Sequence, residues 1–134
     1  MRIPSFLLTG LLAAAPVMAP VLAHANTFES QSTTQNAAHT PVITAPAEVA
    51  AGEPFQVTVT IGKKPHPSDP SHFIRYIALF AGDVELARTT LTPSLTRPTV
   101  TYTLTLKQDT TLRALAAPNH SAAWISEQAI KISH

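Results

Sequence analysis

From Pro41 to the end of the chain, apolar and polar positions alternate every second residue. The clearest run is Phe55, Val57, Val59 and Ile61, interleaved with Gln56, Thr58 and Thr60. A period of two places the first set on one face of an extended segment, so this stretch is expected to be a strand with one buried face. Ala51-Gly52-Glu53-Pro54 supplies the turn before it. His72 to Phe80 reads as a second strand, with Ile74, Tyr76 and Ala78 on one face and Ile77 and Leu79 on the other. Ala81-Gly82-Asp83 turns the chain into a partner strand over Val84–Thr92. After a loop from Pro93 to Pro98, Val100 to Leu106 alternates again, and Thr111–Ala116 and Ala123–Ile132 complete the set. With Val42–Pro46 as a short first strand, the total is about seven.

No eleven-residue window after the first 25 residues carries a helical stripe. Short, closely spaced strands divided by turn residues predict an all-β domain, specifically a seven-stranded immunoglobulin-like β-sandwich. A small open barrel shares the pattern and stays open as an alternative. In a sandwich the loops gather at the two ends, where side chains distant in sequence can meet.

The start of the chain follows a different pattern. Arg2 gives a short basic start, Phe6 to Ala15 is apolar, and Ala23-His24-Ala25 is a small-x-small cleavage site. These are the parts of a secretory signal peptide over residues 1–25, with Pro16 and Pro20 arguing against a retained membrane helix. Residues 26–38 are polar and read as a flexible leader, and residues 39–134 as the domain itself. The expected location is periplasmic or secreted, with no membrane attachment after cleavage.

Charge and cysteine content narrow the function. Arg2 is the only charged residue of the signal segment, so eight basic and eight acidic residues remain and cancel. A neutral chain without a lysine or arginine run is not built to bind nucleic acid. The absence of cysteine excludes a disulfide scaffold and any thiolate metal ligand. A homo-oligomer is compatible with everything above.

Four histidines stand out by position. His39 precedes the first strand, His66 lies between Pro65 and Pro67, His72 opens the second strand, and His120 lies between the last two strands. The flanking prolines reduce the backbone freedom that the His66 loop loses on ordering. Imidazoles brought together without an ion repel on protonation, whereas a shared divalent cation makes them compatible. Imidazole suits iron, copper and zinc alike, so the residues alone leave the metal open.

The motifs around these residues resemble a known family. His39-Thr40-Pro41-Val42-Ile43 resembles the His-x-Pro-x-Ile segment that opens the iron domain of superoxide reductases, the desulfoferrodoxin and neelaredoxin family. His66-Pro67 through His72-Phe73-Ile74 resembles that family's paired-histidine motif with the same six-residue separation. His120 with Trp124 resembles its terminal Cys-x-x-His-Gly-x-Trp. The resemblance implies an immunoglobulin-like sandwich with a mononuclear non-haem iron. It also implies equatorial ligands His39, His66, His72 and His120, superoxide as small-molecule substrate, and an electron-donor protein as partner.

The chain also departs from the family pattern. Ala117 stands where the family has the axial cysteine, and Ala37-Ala38 stands where it often has Glu-Lys. Ser121 replaces a glycine, and Trp124 comes one residue late. Loss of the thiolate removes electron donation and implies a higher iron potential. Three readings therefore compete. The first is a superoxide reductase-like enzyme. The second is a non-catalytic module that binds or carries iron, copper or zinc. The third is an interaction subunit of the sulfur-oxidation type, against which the close pairing of His66 and His72 argues.

Processing is directly measurable. The exported protein is expected to begin at Asn26 by N-terminal sequencing, and a bulky residue in place of Ala25 is expected to block cleavage. An exported product still starting at Met1 contradicts the signal segment.

Overall fold

Val57, Val59 and Ile61 are fully buried while Gln56 is exposed, as their alternation requires. They belong to β4 (Pro54–Ile61) in a computed structural model that describes residues 31–134. The expected signal segment 1–25 and residues 26–30 of the leader lie outside the described residues. The other strands are β1 (Gln31–Ser32), β2 (Pro41–Thr44), β3 (Glu48–Ala50), β5 (Ile74–Ala81), β6 (Val84–Thr90), β7 (Thr99–Thr105), β8 (Thr110–Pro118) and β9 (Ala123–Ser133). The described residues contain no helix, so the domain is all-β.

Nine strands replace the expected seven because β1 and β3 have only two and three residues. Both pair in parallel with β9 and cover its outer edge. Segments this short carry no periodicity, and only the exposed N–H and C=O groups of an edge strand recruit them. Residues 31–38 of the expected leader thus contain β1 and the turn that leads to His39.

The strands form two open sheets, one ordered β1-β9-β8-β5-β6 with β3 also on β9, the other β2-β4-β7. They pack face to face in a sandwich-like arrangement. Phe55, Val57, Val59 and Ile61 share one apolar core with Ile77, Leu79, Leu112, Ala114, Ile130 and Ile132. Thr89 and Tyr102 bridge the sheets through their hydroxyls at 2.6 Å.

Ile74 was expected on the face of Tyr76 and Ala78, but it joins Ile77 and Leu79 in the core. A register irregularity between Ile74 and Tyr76 inserts one residue and reverses the facing. The far side of the larger sheet is apolar as well. Ala78, Phe80, Leu115, Ala117 and Ala123 cluster there with Tyr76 and Ile125. Arg88 pairs with Glu85 at 2.7 Å and Arg113 with Glu127 at 2.9 Å.

Two pairings position the loops. Pro41 pairs with Ile61, so the start of β2 lies beside the end of β4. Ile74 pairs with Pro118, so the start of β5 lies beside the end of β8. All four of these strand ends open toward the histidine-bearing segments.

Leu79 is fully buried between the sheets. Leu79→Ala is expected to cost about 2–5 kcal/mol of folding stability through lost transfer energy and the cavity left behind, measured by urea unfolding.

Candidate metal centre

His39 is presented by a turn rather than a strand. The Asn36 carbonyl accepts the N–H groups of His39 and Thr40 at 3.3 and 2.9 Å. His66 follows Gly62, which closes the end of β4 with φ +66°, and its own N–H donates to the Thr96 carbonyl at 2.7 Å. His72 does not open β5 as expected. It forms an isolated two-residue bridge with Asp69, N–H to O in both directions at 3.0 and 3.1 Å, and the strand begins at Ile74. The Asp69 carboxylate closes this tight loop by accepting from the Ser71 N–H at 2.7 Å and its hydroxyl at 2.6 Å. Those bonds, the hydroxyl first, hold the Asp69 carboxyl below its ordinary range. Asp69 and Ser71 therefore serve the turn.

His120 follows β8, and its neighbour Asn119 stitches two loops together. Asn119 Oδ1 accepts the Phe73 N–H at 2.9 Å, and the Asn119 N–H donates to the Phe73 carbonyl at 3.0 Å. The loop of His72 and the loop of His120 are thereby held side by side.

All four predicted residues come together. One ring nitrogen from each of His39, His66, His72 and His120 lies within 4.8 Å of the others. His39 Nε2 is 3.0 Å from His66 Nε2 and 3.1 Å from His120 Nε2. The His72 and His120 rings are stacked, with centroids 3.5 Å apart. His66 is only 1% exposed and forms the floor, while His120 is exposed and leaves one side open to solvent.

Hydrogen bonding assigns the protons. Asn36 Oδ1 accepts the Ala38 N–H at 2.9 Å, which identifies it as the oxygen, and lies 2.9 Å from His39 Nδ1. His39 Nδ1 therefore carries the hydrogen, and Nε2 presents a lone pair. Asn119 Oδ1, 3.2 Å from His120 Nδ1, sets that ring the same way. Two lone pairs 3.1 Å apart repel unless a cation or proton lies between them.

Protonation of the His39, His66 and His120 rings is disfavoured. Burial, then the charges of His39, His72 and His120, lower His66 from 6.5 to about 4, with the Pro67 backbone opposing. Burial also lowers His39, followed by its His120 and His72 neighbours, and burial then His72 lowers His120. Neutral imidazoles are the metal-binding form.

The surroundings were only partly foreseen. Trp124 lies against His39, ring centroids 5.4 Å apart, and its buried indole N–H has no hydrogen-bond partner. Tyr76 lies elsewhere, on the far face of the larger sheet beneath the Arg88 guanidinium at 4.1 Å. Ala117 is fully buried in that same far-face cluster. The Lys63 and Lys64 side chains are exposed, and their backbone N–H groups hold the Ala37 carbonyl at 2.7 and 3.0 Å. Asn36 was missed. Its signal was an asparagine, a residue suited to side-chain-to-backbone turns, three places before a candidate ligand.

Comparisons with known proteins show what the chain as a whole is similar to. The family model described as desulfoferrodoxin matches residues 31–127. A relative from Thermotoga maritima, provisionally named a superoxide reductase, is 35% identical over 113 residues, covering 70% of this chain and 86% of that protein. The structure of superoxide reductase (neelaredoxin) from Ignicoccus hospitalis aligns with TM-score 0.64 and 38% identity over 71% of this chain and 81% of that one. The sulfur carrier protein SoxY from Chlorobium limicola f thiosulfatophilum aligns with TM-score 0.58 over 79% and 86% of the two chains. At 16% identity it shares the fold alone.

The lowered histidines are expected to make the metal-free chain acid-sensitive. From about 4, the folded value of His66, up to the ordinary 6.5, the unfolded chain binds more protons than the folded one. Stability is therefore complete above 6.5 and falls as pH drops through this window, by about 1–3 kcal/mol in total. Urea midpoints of metal-free protein from pH 7 to 4 are expected to show this fall, and His66→Gln is expected to flatten it.

Proposed function

The chain belongs to the desulfoferrodoxin family, and from that premise we propose that it is an exported, superoxide reductase-like protein holding one non-haem iron between His39, His66, His72 and His120. The observation that carries this reading is the placement of His39 Nε2. It faces two other Nε2 atoms at 3.0 and 3.1 Å, with its own proton turned away toward Asn36. Imidazole nitrogens held about 2.0–2.1 Å from one ion and at right angles would be about 3 Å apart, so the donor set fits a single metal. The two open sheets are read as the immunoglobulin-like sandwich of the family. The signal-peptide pattern of residues 1–25 is the ground for placing the protein in the periplasm or outside the cell.

When bound, iron in its ferrous state supplies the one electron that, with two protons from solvent, converts one superoxide to one hydrogen peroxide, and an external donor must then restore it. The chain contributes the rest. Three of the rings are kept neutral and available by burial. Asn36 and Asn119 orient two of them. His120 leaves the approach from solvent open. No side chain here can provide a thiolate, because the chain lacks cysteine. The residues that would hold the metal offer nitrogen donors only, which would raise its potential relative to a thiolate-ligated centre.

Protein purified without a histidine tag is expected to contain one iron per chain. Its ferrous form is expected to oxidise stoichiometrically under a flux of superoxide, followed by its absorption spectrum. Iron that stays ferrous under that flux ends the enzymatic reading and leaves a metal-binding module. Copper or zinc in place of iron ends the iron assignment. Conversion of any one of His39, His66 or His72 to Ala is expected to lower metal content sharply, and no change would remove that residue from the ligand set.

A further inference from the structure

His39 precedes its strand by two residues, yet its ring is the one that touches two others through Nε2. Its precision must come from the turn that carries it. Within that turn one residue makes nearly every bond. The Asn36 N–H donates to Thr40 Oγ1 at 2.8 Å, and its carbonyl accepts from the His39 and Thr40 N–H groups. Its Oδ1 accepts from the Ala38 N–H and the His39 Nδ1–H, both at 2.9 Å.

The turn is also clipped from behind to the end of β4. The Gly62 N–H donates to the Thr40 carbonyl at 3.1 Å, and Lys63 and Lys64 donate to the Ala37 carbonyl. A Cβ on Gly62 would lie 2.6 Å from the Ala37 oxygen and 2.8 Å from the Ala38 carbonyl carbon, and φ there is +66°. Only glycine lets the two segments approach this closely. Backbone clip and side-chain bond therefore act on the same five residues, one setting where the ring sits and the other setting which nitrogen faces inward.

We propose that Asn36 is a positioning residue for His39, fixing its ring direction and its Nδ1–H tautomer so that Nε2 is offered to the metal. The inference rests on the metal reading above, and it makes a claim about the metal-free ring that can be judged separately. Asn36 does not touch the ion or substrate. It acts through His39, as partners of ligating histidines do, where their loss typically lowers metal affinity about 10–100-fold.

Two measurements on the full chain test this. The first is Fe(II) affinity by competition titration. Asn36→Ala is expected to bind Fe(II) about 10–100-fold more weakly. Asn36→Asp, which keeps an oxygen for both donors, is expected to bind Fe(II) nearly as tightly as the unaltered chain. The second is the His39 tautomer in metal-free protein, read from long-range nitrogen–proton NMR correlations. It is expected to be Nδ1–H in the unaltered chain and Asn36→Asp, and a mixture in Asn36→Ala. Should Asn36→Ala fail to fold, Asn36→Gln, whose amide is one methylene too long for the turn, is expected to give the same two losses. Unchanged affinity together with a retained Nδ1–H tautomer in a folded variant overturns the proposal, as does failure of Asn36→Asp to restore both. If the unaltered chain takes up no Fe(II), the metal reading fails, and the tautomer measurement alone decides the role of Asn36.

Discussion

The antiparallel pairing of Pro41 with Ile61, and of Ile74 with Pro118, holds the ends of four strands at one end of the two sheets. Each histidine of the candidate site lies within a few residues of one of those ends. A slip of either pairing by one residue would turn every side chain of a strand to its other face, moving apolar residues out of the core. The packing of Val57, Val59 and Ile61 against Ile77, Leu79 and Leu112 therefore fixes the register, and the register fixes the separation of the loops. The centre is in this sense a by-product of core burial, which supplies most of the free energy that holds it together.

What the core does not supply is the direction of the rings, and there polar groups take over. Asparagines 36 and 119 each accept a backbone N–H and a ring N–H with one oxygen. In the metal-free chain the outcome is unfavourable, because lone pairs face each other and burial hinders their protonation. Such a site costs stability in the absence of an ion and regains it on binding, which couples metal affinity to folding and to pH.

Ala117 separates scaffold from chemistry. It is fully buried in an apolar cluster with Ala123 and Leu115, and the sheet around it is intact. The fold tolerates alanine where the family has its thiolate because the strand needs only a small residue there. The architecture is left untouched.

Much of this was legible in the chain itself. The alternation over Phe55–Ile61 and Val100–Leu106, the turn at Gly82 and the placement of four histidines beside strand ends all follow from local periodicity and steric preference, which act between neighbours in sequence. Other features were not legible, for reasons that are equally physical. The strands β1 and β3 exist because β9 offers them an edge. The irregularity at Arg75 reverses Ile74 because the sheet needs it in the core. His72 left the strand for a turn with Asp69. Asn36 became a ring-orienting residue only when the end of β4 came to rest against its turn. A sequence pattern records which face of a segment avoids water, and that determined the strands, while the set of candidate ligands came from four histidines and the family motifs they resemble. Which nitrogens meet, and which of them keep their protons, depends on contacts between groups up to 81 positions apart, and those distances are set only when the two sheets close on one another.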